Sequence, residues 1–202
     1  YECYKGLYSS FNSMNMFEIN HSLLRQFGPE QWTLYKGKHL LSFVDNHDVT
    51  RVASILNNPA HLPLIYAIAF GMPGIPCVYY GSEWGAAGRK EDGDPALRVS
   101  FDAPVENELS DWISKLAAAK KASKALQYGD FSSVVLTNGQ CIFKREWEGE
   151  RVLVAINAAD SPFWAGFNLG SSQAVDLITG NDVTFHDGYE LPAYSAFFFR
   201  LK

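Results

Sequence analysis

Four polar residues stand directly after one short apolar run. Asp45, Asn46, His47 and Asp48 follow residues 41–44, which read LSFV. Two carboxylates and an imidazole at the end of an apolar strand are costly to bury unless they find partners. In parallel α/β proteins, reactive groups lie at the carboxyl ends of strands, where the loops diverge. The pattern is equally consistent with a functional site at this tip and with a purely structural role through hydrogen bonding.

A second tip follows another apolar run, at residues 79–85, which read YYGSEWG. Here Glu83 is flanked by Tyr79, Tyr80 and Trp84. Aromatic rings combine a flat apolar face with polar edges, and a carboxylate beside them can accept hydrogen bonds from hydroxyl groups. This combination suits a sugar ring. The alternative is a buried tyrosine pair with a tryptophan on the surface.

Helices and strands alternate around the two tips. The hydrophobic spacing predicts a helix within residues 12–27 that stops at Gly28–Pro29, followed by a buried strand at 41–44. It then predicts a buried helix at about 60–70, a turn at 71–74 and a buried strand at 75–80. A third helix carries an apolar face with Leu109, Trp112, Ile113, Leu116 and Lys120. Both strands are too apolar to be half exposed. That property is typical of parallel β/α units, whose strands are covered on both faces.

The character of the sequence changes after about residue 124. Short alternating segments, at 132–137, 140–147, 152–157, 163–169, 174–178 and 194–201, are typical of antiparallel strands, and Asn138–Gly139 predicts a hairpin turn between the first two. We therefore predict two domains, with an α/β unit at 1–124 and an antiparallel β-sandwich at 125–202.

Composition excludes several classes of protein. The chain has 202 residues, 17 basic and 22 acidic side chains, and a net charge of −5, which argues against a nucleic-acid surface. The charge-free stretch at 62–82 is interrupted by Pro73, Gly74 and Pro76, so no membrane helix is expected. The three cysteines, Cys3, Cys77 and Cys141, form neither a disulfide framework nor a zinc motif, and we expect them to be core thiols. Localisation stays open, although this cysteine pattern favours the cytoplasm.

Two motifs together resemble the α-amylase family, glycoside hydrolase family 13. They are FVDNHD at 43–48 and PGIPCVYYGSE at 73–83, in the order and spacing of that family. The beginning, YECYKGLYSSFN, and the ending, LPAYSAFFFRL, are similar to segments of the same enzymes. The resemblance covers nearly the whole chain. It implies a partial (β/α)₈ barrel, consisting of about strands seven and eight with flanking helices, followed by the family's C-terminal β-sandwich.

The resemblance also implies roles for individual residues. Asp48 matches the aspartate that stabilises the transition state, and His47 matches the histidine that binds sugar hydroxyls. Asn46 precedes them in the motif and would hold the backbone of the tip. Glu83 and Trp84 match residues of the site wall, which makes them candidate substrate-binding residues. The implied substrates are α-glucans or maltooligosaccharides, and the implied partners include neither nucleic acid nor a membrane.

The same resemblance implies that two catalytic groups lie elsewhere. A retaining glycosidase needs a nucleophilic carboxylate and a general acid about 5–5.5 Å apart. In this family both come from earlier barrel strands, and no matching motif occurs in these residues. The expectation is therefore a C-terminal part of a longer enzyme, inactive alone, that associates with itself or with the remaining barrel. No cofactor is expected, and the calcium site common in the family would come largely from other segments.

Two alternatives stay open. The chain could be a non-catalytic carbohydrate-binding or structural module whose aromatic residues contact sugars. A metal-dependent hydrolase that uses His47 and Asp48 with His39 or His61 is disfavoured, because metal sites need three or four converging ligands and the sequence has no matching spacing.

Overall fold

A computed structural model describes residues 2–202 of the chain. Seven α-helices and ten strands, with short 3₁₀ turns between them, make up the part described. The helices are α1 Tyr4–Asn12, α2 Phe17–Phe27, α3 Val52–Ile55, α4 Leu62–Gly71, α5 Asp94–Leu97, α6 Glu108–Ala122 and α7 Lys124–Tyr128. The strands are β1 Leu41–Phe43, β2 Ile75–Cys77, β3 Asp130–Leu136, β4 Gln140–Trp147, β5 Glu150–Asn157, β6 Phe163–Gly166, β7 Gln173–Asp176, β8 Asp182–Thr184, β9 Gly188–Leu191 and β10 Ser195–Leu201.

The first half of the chain is built around α4. This helix is apolar on all sides, and its residues from Leu64 to Gly71 are buried, as expected for a central helix. Asn58 accepts a hydrogen bond from the Ala60 amide at the 3₁₀ turn that leads into α4, and Pro59 fixes the first position of that turn. Strands β1 and β2 pair in parallel, with Leu41 opposite Ile75.

The second half is an antiparallel sheet with a smaller sheet packed on it. The six strands run in the order β3-β4-β5-β10-β7-β8, and β6 pairs with β9 separately. Side chains of β5 alternate between two cores. Val152, Val154 and Ile156 pack with α4 and the other helices, whereas Leu153 and Ala155 pack under the second sheet. The six-stranded sheet is therefore apolar on both faces.

The strands of the parallel pair are more exposed than the sequence predicts. Leu41 is 61% exposed and Ile75 is 53% exposed, although both were expected to be buried on both faces. Within residues 2–202 the pair has only two strands, so its outer edges and one part of its surface have no covering layer. Cys77 is exposed on β2 for the same reason, which corrects its assignment as a core thiol, whereas Cys3 and Cys141 are buried as expected.

Several other elements differ from the sequence-based predictions. Helix α1 and strands β8 and β9 were not predicted. The two strands are short, with three and four residues. The loop between β3 and β4 holds three residues rather than two. It is closed by a hydrogen bond from the Thr137 amide to the Gln140 carbonyl, and the Asn138 carbonyl accepts from the Met16 amide. The domain boundary predicted near residue 124 stays a prediction. Helix α7 begins at that position, and the first strand of the sheet begins at Asp130.

The buried helix in the first part of the charge-free stretch is α4, which has ten residues. Among residues 2–202, no helix is both long and apolar enough to cross a membrane.

Candidate functional site at the tips of the parallel strands

The first polar residue after β1 is buried and serves the backbone of the tip. Asp45 is 1% exposed. Its Oδ2 accepts hydrogen bonds from the Val52 amide, at 2.8 Å, and from the Ser82 hydroxyl, at 2.7 Å. Burial raises the pKa of Asp45, and the bonds from Val52 and Ser82 and the charge of Arg51 oppose that shift. Asp45 therefore fixes the position of the loop that carries the next three residues.

Arg51 joins the two tips. It is completely buried, and its Nη1 donates to the Tyr80 carbonyl and to the Ser82 hydroxyl, at 2.6 and 3.0 Å. Its Nη2 donates to the Leu97 carbonyl at 2.8 Å, and its guanidinium carbon lies 4.3 Å from the centre of the Tyr79 ring. These contacts give Arg51 a structural role, in which it connects the two tips.

Asp48 and His47 lie on the surface of the tip. Their side chains are 50% and 55% exposed, and His47 Nε2 lies 3.2 Å from Asp48 Oδ2. Asn46 is partly buried, and its Oδ1 accepts a hydrogen bond from the Asp48 amide at 2.8 Å. The His47 ring approaches Tyr79, with ring centres 6.3 Å apart. Three of the predicted site residues are thus adjacent, and two of them are open to a ligand.

A second pair of charges, not singled out from the sequence, completes this surface. Arg98 Nη2 lies 3.3 Å from Asp48 Oδ1, and Arg98 Nη1 lies 2.9 Å from Asp94 Oδ2. The hydrogen bond from Arg98, and then its charge, lower the pKa of Asp94. Asp94 and Arg98 are four residues apart at the short helix α5. That spacing of opposite charges was the signal available in the sequence.

Glu83 and Trp84 occupy a 3₁₀ turn between Gly81 and Gly85, two glycines with left-handed backbones. Glu83 Oε2 is buried and has no hydrogen-bond partner among the described residues. Trp84 is half-buried against Phe101, with ring centres 5.0 Å apart. Their assignment as substrate-binding residues stays a prediction.

The described residues contain no group of three or more His, Cys, Asp or Glu side chains able to hold a metal ion. His39 lies against Tyr128, and His61 packs against Phe11 while its Nε2 contacts the Ala158 carbonyl at 3.0 Å. Neither histidine joins His47.

Comparison with known proteins identifies the class to which this fold and these tips belong. A family model described as the catalytic domain of alpha-amylase matches residues 7–132. That match takes in more than half of the chain, and the chain therefore belongs to the α-amylase family.

Curated relatives are considerably longer than this chain. It is 31% identical over 120 residues to a cyclomaltodextrin glucanotransferase from Thermoanaerobacterium thermosulfurigenes, a match that takes in 58% of this chain and 16% of the relative. It is 29% identical over 158 residues to an alpha-amylase from Niallia circulans, which takes in 74% of this chain and 30% of the relative. The chain thus spans less than a third of the length of these two relatives.

Solved structures match nearly the whole chain. An alpha-amylase from Anoxybacillus superposes with a TM-score of 0.84 and 26% identity, over 98% of this chain and 45% of that one. The cyclomaltodextrin glucanotransferase CldA gives a TM-score of 0.82 at 21% identity, over 99% of this chain and 43% of that one. At that identity the second match supports the fold alone. Both the helical half and the antiparallel sheets thus have counterparts in enzymes of the family.

Proposed function

We propose that this chain supplies one wall of the active site of a retaining glycoside hydrolase that acts on α-glucans or maltooligosaccharides. Asp48 stabilises the transition state, and His47 binds hydroxyl groups of the sugar that is cleaved. The observation that carries the proposal is the contrast between two aspartates of one motif. Asp45 is buried in the loop, whereas Asp48 is half exposed beside His47 and Arg98.

The geometry suits recognition of hydroxyl groups. The carboxylate of Asp48 accepts hydrogen bonds, and the imidazole of His47 offers a donor or an acceptor 3.2 Å away. Such bonds accelerate the reaction if they strengthen as the sugar ring flattens towards an oxocarbenium ion. Asn46 holds the Asp48 backbone through its bond to the Asp48 amide. Arg51 and Asp45 keep the β1 tip in register with the β2 tip.

We also propose that the 202 residues do not cleave glycosidic bonds by themselves. The proposed mechanism requires a nucleophile and a general acid about 5–5.5 Å apart, and Asp48 is assigned to neither role. The exposed surface of Leu41 and Ile75 on the parallel pair is where further barrel strands would pack. Without them, this surface favours self-association.

Assays of hydrolysis and of binding test the proposal together. The purified chain is expected to release no reducing sugar from maltoheptaose, while isothermal titration detects binding that Asp48→Asn weakens. Hydrolysis that Asp48→Asn abolishes would overturn the proposed inactivity. Binding that is unchanged in Asp48→Asn would contradict the role of Asp48 and would favour the alternative, a non-catalytic carbohydrate-binding module.

A further inference from the structure

Basic side chains gather at the junction between the helices and the six-stranded sheet. They line two adjoining cavities of about 220 and 550 Å³, which share four lining residues. The basic residues of this lining are Lys36, Lys38, His39, Lys120, Lys121 and Arg145. Among the described residues, Asp130 is the one acidic residue that lines either cavity. In a chain of net charge −5, the junction is therefore a locally positive region.

Two of these cations are buried without a carboxylate counter-ion. Arg145 is 1% exposed and Lys120 is 8% exposed. Arg145 donates hydrogen bonds to backbone carbonyls of α4 and α7, and Lys120 donates to the carbonyls of Phe70 and Met72. Neither forms an ion pair with a carboxylate of residues 2–202. Carbonyl groups are neutral, so the positive charge buried here is not balanced by the protein.

The two buried cations also act on each other. Burial lowers the pKa of Arg145 to about 9. Burial, and then the charge of Arg145, lower the pKa of Lys120 to about 7. An anion in these cavities would favour the charged form of both groups, because an opposite charge nearby offsets the loss of hydration.

Aromatic rings stand at the rim of the smaller cavity. Tyr128 lines both cavities and is 45% exposed, and Trp147 lines the smaller one and is 39% exposed. Their ring centres are 5.7 Å apart. Lys124 Nζ lies 5.3 Å from the centre of the Tyr128 ring. Exposed aromatic faces beside basic groups suit a ligand that joins a ring to a negatively charged group.

The smaller cavity lies away from the two tips. Its walls come from the segment before β1, the turn after α4, the loop after α7, and β4. These elements adjoin the amino ends of β1 and β2, whereas Asp48 follows the carboxyl end of β1. Neither Leu41 nor Ile75 lines the smaller cavity, so it does not depend on the surface where further barrel strands would pack.

We propose that the smaller cavity binds the phosphate group of a small phosphate ester through Lys36, Lys38 and Arg145, while Tyr128 and Trp147 contact the ring that carries the phosphate. Sugar phosphates and nucleotides share this chemistry. A phosphate monoester carries a charge of about −1.5 to −2 at pH 7, which matches a lining with six basic groups better than a single carboxylate does. Lysine and arginine give phosphate oxygens charge-assisted hydrogen bonds. The site is separate from the proposed function of Asp48.

Titration calorimetry of the full 202-residue chain tests the phosphate contact. Glucose 6-phosphate, adenosine monophosphate and inorganic phosphate are compared, and at least one ester should bind more tightly than inorganic phosphate. Lys36→Gln combined with Lys38→Gln should weaken binding of that ester about tenfold or more. Lys5→Gln combined with Lys115→Gln removes the same charge from exposed residues outside both cavities. This control should bind like the wild type.

A second variant tests the ring contact. Trp147→Ser should reduce the affinity for the ester to that for inorganic phosphate and leave the affinity for inorganic phosphate unchanged. Trp164→Ser, at an exposed tryptophan of β6, is the matched control. Binding of adenosine monophosphate alone supports the site with a base as the ring, and binding of glucose 6-phosphate alone supports it with a sugar.

Three results would overturn the proposal. The first is no binding of either ester to the wild type. The second is an ester affinity that is the same in the wild type and in the variant lacking Lys36 and Lys38. The third is an ester that binds no more tightly than inorganic phosphate, which would leave only nonspecific attraction of an anion to a positive surface.

Discussion

Asp45 and Arg51, six residues apart in the loop after β1, are held together by a hydroxyl group of the other tip. Ser82 Oγ donates to Asp45 Oδ2 at 2.7 Å and accepts from Arg51 Nη1 at 3.0 Å. All three side chains are buried. The carboxylate and the guanidinium thus act on each other through a shared partner, and this bridge keeps the β1 and β2 tips in a single arrangement.

Arg51→Lys should destabilise the protein substantially. Lysine lacks the fork of donors that reaches the Tyr80 and Leu97 carbonyls and Ser82 together, and it leaves buried acceptors without partners. We expect a loss of about 2–4 kcal/mol in the free energy of unfolding, measured by urea denaturation. Arg89→Lys is the control, because Arg89 is exposed and pairs with Glu91, which is also exposed. Similar losses in the two variants would contradict the bridging role.

Arg98→Gln should separate binding from stability. The Arg98 side chain is 38% exposed and contacts Asp48 and Asp94. Surface ion pairs contribute about 0–1 kcal/mol, so the melting temperature should change little. Affinity for maltoheptaose should fall about tenfold, which corresponds to about 1.4 kcal/mol. Arg89→Gln serves as the control for the loss of an exposed charge. A large stability loss with unchanged affinity would make Arg98 structural.

Lys120 should give the protein a distinctive dependence on pH. Its ammonium group is buried and donates to the Phe70 and Met72 carbonyls. Burial, and then the charge of Arg145, lower the pKa of Lys120 to about 7 from 10.5. Between these two values the unfolded chain binds more protons than the folded chain. The contribution of Lys120 to stability therefore rises with pH over that window.

Lys120→Met removes this titration. The difference in free energy of unfolding, wild type minus variant, should increase by at most about 1.4 kcal/mol per pH unit above pH 7. Denaturant unfolding at pH 6, 7, 8 and 9 measures this difference. Buried groups that are present in both proteins cancel in the difference. Lys121→Met, at the exposed neighbouring position, should show no such trend. A difference that is independent of pH would refute the lowered pKa.

Gly74 should tolerate alanine less well than another glycine with a left-handed backbone. Its φ is 105°, and a Cβ placed on it would lie 2.6 Å from the Leu40 carbonyl oxygen. Gly149 has φ of 89° and nothing within 4 Å, so Gly149→Ala measures the backbone cost alone, about 1–2 kcal/mol. Gly74→Ala should cost about 1–3 kcal/mol more, because it separates β2 from β1. Equal midpoints of thermal unfolding for the two variants would show that the structure adjusts at little cost to a Cβ beside the Leu40 carbonyl oxygen.

The exposed surface of the parallel pair should drive self-association. Light scattering of the wild type is expected to give a mass above that of one chain, and Leu41→Lys combined with Ile75→Lys should lower it. Val105→Lys introduces a charge at a residue that is 50% exposed outside the pair, and it should have no effect. A monomeric wild type would argue against this surface as an interface.

Elements with a clear hydrophobic pattern along the chain were predictable from the sequence. The apolar helix α4 and the strand β4 were identified. At the start of α6, Asn107 forms a capping box with Ser110. The coverage of β1 and β2 was not predictable, because apolar composition does not reveal how many strands lie beside them. The contact between Arg98 and Asp48 spans fifty residues, and no local pattern encodes it.

The candidate site, too, was predictable from the sequence only in part. The density of polar groups from Asp45 to Asp48 indicated a site, yet it did not distinguish the buried aspartate from the exposed one. That distinction depends on Ser82 and Val52, which reach Asp45 only in the folded chain. Phe101 was not singled out for a similar reason. Its place beside Tyr80 and Trp84 depends on the backbone of Gly81, against which its ring packs.

Because the side chains of β5 alternate between two hydrophobic cores, unfolding of one half of the chain affects the other. Val154 belongs to the helical core and its neighbour Ala155 to the core under the second sheet. Detaching the helices would leave the six-stranded sheet with a bare apolar face. The regions that the sequence separates near residue 124 therefore share one hydrophobic core, so a cavity made in α4 would also remove packing from one face of the sheet.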